Sequence, residues 1–378
     1  MALNPFRTPA PGRAGRFLLR GLLDAALLAA LLAAGHALLW RWMGSQLEAG
    51  FRDWAAQRRA MGWRVEHAAP ARGGWPFAAT LTLPQFRLEG GGATLPGGME
   101  WQAEALVLRL ALPRLDRLAV EMPGRHRLRL GALDLPFAAD HLLATLPLER
   151  DVLPREARLT AERLRLGTPG GAVEALSAEL EIETRMTAIE DEPAVTLRLS
   201  GGDVRLPAAA GAAVDVLGRS VESALLDLAL TGPVPPGRFP AAKAEAWRDG
   251  GGTLELRAAS LRWGPVAGTA TATLTLDEAL QPMGAGTLRL AGGGEALQAA
   301  AAAGLLSRQA AATGRTVLRL LSRVPAEGGP PLLEVPLALE EQVLTASRVP
   351  LAVLPRWDWP APPAPPDAAQ DPSLPARD

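Results

Sequence analysis

One stretch limits how this chain can begin its fold. Residues 17 to 40 read FLLRGLLDAALLAALLAAGHALLW, and from Leu22 to Trp40 only Asp24 and His36 interrupt the apolar run. A helix needs about 20 mainly apolar residues to cross the hydrocarbon core, so the run predicts a transmembrane helix over 17–42. Arg7, Arg13, Arg16 and Arg20 come first, and no acid precedes Asp24. Positive residues stay on the cytoplasmic side, which puts the N-terminus, 1–16, in the cytoplasm and the body across the membrane. Trp40 and Trp42 suit the opposite interface. Asp24 and His36 lie near the ends of the run, where polar tips reach water. A cleaved signal peptide would use residues 25–34 and the small residues around Gly35-His36-Ala37. The apolar run continues past that point, which favours an uncleaved anchor.

Residues 43–61 keep a helical period. Met43, Leu47, Phe51, Trp54 and Met61 fall near one stripe, with Glu48, Arg52, Asp53 and Arg59 turned away. This reads as an amphipathic linker helix, and Gly62 is placed to cap it. Its polar face carries both signs of charge, so packing against the body is favoured over lying on the membrane surface.

From Trp63 onward the period becomes two. Leu81 and Leu83 alternate with threonines, Leu106, Leu108 and Leu110 with Val107 and Arg109, Leu128 and Leu130 with Arg127 and Arg129, and Leu180 and Ile182 with glutamates. One apolar and one wet face is the mark of half-buried antiparallel strands. Glycine clusters separate them, supplying the positive φ of tight turns. The expected fold is an N-terminal transmembrane helix followed by a mainly-β body, an antiparallel, curved or grooved sheet with a few packing helices. It divides into β-rich halves at 62–217 and 218–354. In the second half strands are expected at 253–258, 260–267, 269–276 and 285–291, a short helix at 239–248, a broken helix near 294–323, and a last strand pair at 332–339 and 342–349. The Pro-rich segment 355–378 cannot form a core and is expected to be disordered.

The chemistry-bearing residues give no reaction. Zero cysteines exclude disulfides, thiolate metal sites and a cysteine nucleophile. His36, His67, His126 and His141 show no ligand spacing, and no HExxH or phosphate-binding glycine loop is present. The acids Glu181, Glu183, Glu190, Asp191 and Glu192 read as a solvated edge and loop. A net charge of −1 steers no nucleic acid. Arginine is abundant, but Lys243 is the only lysine, so the arginines reflect base composition more than phosphate recognition. Trp63, Trp75, Trp101, Trp247 and Trp263 read as core or edge packing. No catalytic, cofactor-binding or metal residue is assigned, no cofactor is expected, and the chain is not read as an enzyme.

The order of certain words is nevertheless specific. Gly62-Trp63, Gly74 with Pro76-Phe77, Trp263-Gly264, Leu276-Asp277 and Leu280-Gln281-Pro282 follow the membrane run in turn. Over about residues 20 to 355 the chain resembles the bacterial domain-of-unknown-function family 2125, with Trp75 standing where Phe or Tyr is expected. The layout also resembles AsmA-like envelope proteins. These resemblances imply a single-pass inner-membrane protein with a periplasmic body. Its groove would bind lipid or another apolar envelope component; the alternative is a structural scaffold with envelope protein partners and no small ligand.

Overall fold

A computed structural model describes residues 13–91, 98–148, 155–304 and 332–359, apart from 186, 208, 210 and 236–239, with isolated positions between 305 and 331. The first element is one helix, α1 (Arg13–Ala60). The span expected over 17–42 and the amphipathic linker helix expected over 43–61 are two stretches of this one helix. Nothing between Trp40 and Met43 breaks a helix; Gly50 has open space around it, and a Cβ at Gly44 would make only an ordinary contact with Arg72 Cδ at 3.9 Å. α1 ends in a Schellman cap. Gly62 has φ +85°, its N–H reaches the Arg59 carbonyl, and the Trp63 N–H reaches the Arg58 carbonyl.

Along α1 the environment changes. Leu22, Leu28, Leu32 and Leu38 are exposed, whereas Met43, Leu47, Phe51 and Ala55 are buried. The exposed portion is the one helix among the described residues long and apolar enough to cross a membrane. The upper portion packs on the body, as its mixed-charge polar face led us to expect. Met61 falls outside the buried stripe because the helix has already ended.

The body opens with β1 (Arg64–Glu66), β2 (Ala71–Gly73), β3 (Ala78–Gly90), β4 (Met99–Ala111), β5 (Arg114–Glu121), β6 (Arg125–Leu130), β7 (Leu133–Ala138), β8 (His141–Pro147) and β9 (Glu156–Thr168). It continues with β10 (Gly171–Thr184), β11 (Pro193–Arg205), α2 (Ala212–Leu217), β12 (Ser220–Thr231), α3 (Pro240–Asp249), β13 (Leu254–Trp263), β14 (Val266–Leu276), β15 (Pro282–Ala291) and α4 (Gly293–Ala302). β16 (Leu332–Glu340), β17 (Val343–Ala346) and β18 (Val349–Val353) close it. All strands join one antiparallel sheet. β1 and β2 both pair with β3, and β3 pairs with β4. β4 then splits the sheet: its later residues pair with β5 and its earlier ones with β6. The branches rejoin on β9, through β8 and β7. From β9 to β18 each strand pairs with its sequence neighbours.

Several expected boundaries move. The strands expected at 253–258 and 260–267 are the single strand β13 and the start of β14, because the chain turns at Gly264-Pro265, where Gly264 has φ +53°. The helix expected over 294–323 is α4, ended near Gly304 with φ +74°; most of its remainder lies outside the described residues. The last strand pair becomes three strands. α2 has no strong sequence signal, being six residues long. The expectation of disorder from residue 355 fails for 355–359. Gln281 is 2% exposed; its side chain donates to the Trp357 carbonyl (3.1 Å) and accepts from the Trp357 N–H (2.8 Å). The Trp359 indole donates to the Leu280 carbonyl at 2.9 Å. Residues 360–378 lie outside the described residues.

The main core forms where α1 crosses β3 and β4. Leu81 and Leu83 are fully buried there, with Met43, Phe51, Phe86 and Leu106 around them. A smaller core joins Leu217, Val266 and Ala299, from α2, β14 and α4.

Candidate functional site

The register of the strands fixes what one face of the sheet is made of. Leu81 on β3 sits opposite Leu108 on β4, followed by Val120, Ala144 and Leu159 on β5, β8 and β9. The row continues through Leu180, Leu199, Leu226, Ala259, Ala270, Leu288 and Val335, one residue per strand from β10 to β16. No polar side chain interrupts it. A second row, two residues along except at the register shift in β13, reads Ile182, Leu197, Leu228, Leu256, Ala272, Gly286, Leu337 and Ala346. Because side chains alternate in a strand, these rows share one face. Its cover is uneven: Leu81 and Val335 are buried, whereas Leu199 is 45% exposed.

The other face is charged. Arg158 pairs with Glu181 and, at 3.3 Å, with Glu179; Arg198 lies 3.5 Å from Asp227 and Arg289 lies 3.3 Å from Glu334. These cross-strand pairs are exposed and worth a few tenths of a kcal/mol to about 1 kcal/mol each. They mark the wet side.

α1 covers one end of the apolar face without filling it. Between Leu47, Phe51 and Trp54 on the helix and Leu83, Leu108, Leu118 and Val120 on the sheet lies a trough of about 1560 Å³. Ordinary small-molecule pockets are about 300–1,000 Å³. The polar residues lining the trough include Arg58, Arg155, Glu156, Glu183 and Arg185. Arg58 lies over the Trp54 ring at 5.9 Å. Glu156 and Glu183 are cross-strand partners, and Glu156 lies 3.9 Å from Arg117. A smaller cavity of about 460 Å³ lies farther along the sheet, where α3 meets β12–β15. Leu230, Leu274 and Trp247 line it, with Trp359 and Lys243.

The histidines are dispersed. His67 donates locally from Nδ1–H to the Ala68 carbonyl at 2.8 Å and lies edge-on to Phe51. His126 is 3% exposed and stacked between Phe137 and Trp101. Its Nε2–H donates to the Met122 carbonyl at 3.0 Å, and Nδ1 is buried with no partner. Burial pushes its pKa below the ordinary histidine value, opposed by the Met122 carbonyl and by Glu104. In the sequence His126 stands among Arg125, Arg127 and Arg129. The structure turns it inward, in phase with Leu128, while Arg125, Arg127 and Arg129 face water. His36 belongs to α1, and its Nε2–H donates to the Pro76 carbonyl at 2.7 Å. Among the described residues, no three His, Asp or Glu side chains converge as metal ligands.

The tryptophans divide by role. Trp247 and Trp263 tie edges together, donating to the carbonyls of Thr231 (2.8 Å) and Gly218 (2.7 Å). Trp63 lies on Gly90, where an added Cβ would come within 2.5 Å of its ring. Trp54 and Trp101 line the trough, a placement that residue spacing alone does not separate from core packing. The arginines at the trough, Arg155 and Arg185, also went unread. Only the pairing of β9 with β10 brings them to one end of the sheet.

The family described as "Uncharacterized protein conserved in bacteria (DUF2125)" matches residues 40–355. No curated protein and no solved structure matches the chain.

Proposed function

The chain belongs to the DUF2125 family, and on that footing we propose that it is a membrane-anchored binding protein that holds the acyl chains of an envelope lipid in the trough beneath α1. It has no catalytic role in this reading. The N-terminus lies in the cytoplasm and the body in the periplasm, as the four leading arginines favour. One observation carries the proposal: the unbroken first apolar row begins in a 1560 Å³ trough under α1, which its residues Leu108, Val120 and Ala144 line. Each buried methylene stabilises by about 0.8 kcal/mol, so ten give roughly 8 kcal/mol. Association costs at least about 4 kcal/mol. A two-chain lipid is therefore held far better than a single chain, and the charged residues along the trough suit a headgroup.

The test is native mass spectrometry of the full chain extracted from membranes. Bound phospholipid is expected on the wild type and lost from Val120→Arg, with circular dichroism showing the sheet intact. A wild type that carries no lipid and takes up none from vesicles would refute the proposal. The alternative, an envelope scaffold, is favoured by β18. Its outer edge has no strand partner among the described residues, and Val349, Leu351 and Val353 are exposed. Site-specific crosslinking at Val353 to a second protein, with no lipid bound, would support it.

A further inference from the structure

The sheet touches α1 at a second place, below the core. The loop between β2 and β3 reaches the helix where its apolar run ends. His36 donates to the Pro76 carbonyl at 2.7 Å, and the Trp40 indole donates to the Ala78 carbonyl at 2.9 Å. The Trp75 ring lies 4.9 Å from His36 and 5.7 Å edge-on from Trp40. Gly74 makes this bend possible: at φ +89° a Cβ would come within 2.6 Å of the Ala78 carbonyl. Having spent its polar contacts on the helix, the loop leaves its apolar tips outward. Trp75 is 51% exposed and Phe77 82%. The turn between β4 and β5 extends the same edge. Ala78 pairs with Ala111, so Phe77 and the exposed Leu112 both stand one residue beyond that pair.

We propose that this edge, Trp75, Phe77 and Leu112, is seated in the lipid interface of the membrane that α1 spans. The level is set by helix geometry. At about 1.5 Å per residue, residues 20 to 40 cover about 30 Å, the thickness of the hydrocarbon core. His36 and Trp40 therefore lie at its upper boundary, and the loop bonded to them lies there too. Amphipathic rings concentrate at that boundary, and an exposed apolar tip gains by entering it. The body thus stands on the bilayer at two points, α1 and this edge, which fixes its rotation about the helix. The proposal rests on α1 spanning the membrane and is independent of what fills the trough.

The absence of cysteine makes the test clean. Single-cysteine variants Leu28→Cys, Phe77→Cys, Leu112→Cys and Glu222→Cys of the full chain are spin-labelled in phosphatidylethanolamine–phosphatidylglycerol vesicles. Collision with oxygen and with a water-soluble nickel chelate reads the depth of each. Labels at 77 and 112 are expected to show an oxygen-to-nickel ratio several-fold above that at Glu222, with Leu28 deepest. Labels at 77 and 112 matching Glu222 while Leu28 reads deep would overturn the seating alone. A shallow Leu28 would overturn the spanning helix, and the seating with it.

Discussion

A buried side chain shows its cost when its charge changes. His126 sits among Phe137, Trp101 and Met122 with one ring nitrogen unpartnered. Burial holds it neutral in the fold, while the unfolded chain binds a proton near pH 6.5. Its contribution is therefore whole above about pH 6.5 and is lost as the pH falls from there toward the lower folded value. His126→Phe keeps the stacking and removes the titration. Denaturant midpoints of the wild type in micelles should fall between pH 7.5 and pH 5, and those of His126→Phe should fall less. An equal fall in both would refute the assignment. The position was only half legible. The alternation placed residue 126 in phase with Leu128, but a histidine between two arginines reads equally well as part of a wet face. Gly62 was fully legible, since a glycine after a helical stripe before a change of period has one common use.

Elements were legible where local chemistry decides them. Most strand cores read from alternation lie within observed strands, because a half-buried strand must alternate. Boundaries set by packing were not. The expected break near residue 259 is not a turn, and the chain turns instead at Gly264-Pro265, next to Trp263, whose indole donates to the Gly218 carbonyl. α1 runs without interruption through the expected junction of span and linker at Trp42, because neither Arg41 nor Trp42 breaks a helix. What joins α1 to the sheet is a short stripe in which Phe51 packs on Trp54 at 5.9 Å and His67 at 5.2 Å. Phe51→Ala should cost about 3 kcal/mol, read from chemical unfolding in micelles, and should enlarge the trough on its helical side. A loss below about 1 kcal/mol would mean that the contact is soft.

At the scale of the molecule, the sequence told which face was apolar but not how much of it would stay open. That depends on where helices land, and a landing site is a long-range fact. α1, α3 and the α2–α4 pair each cover one region of the face, and Leu199 remains between them. The orientation we propose has its own check. Glu222, exposed on β12, becomes a reporter as Glu222→Cys. In intact spheroplasts it should react with a membrane-impermeant maleimide. Reaction only after permeabilisation would place the body on the cytoplasmic side and require the arginine reading to be abandoned.

The pairing from β9 to β18 has a consequence for growth. A closed barrel fixes its strand number through tilt and stagger, so a strand cannot be added alone. Here, among the described residues, no strand in that stretch pairs with a distant one across a closing seam. A hairpin inserted after any of these strands would renew both faces and leave the register of the others unchanged, as units are added in a repeat protein. The span of the apolar face is in this sense a quantity that the chain counts out in hairpins, at roughly 4.8 Å per strand.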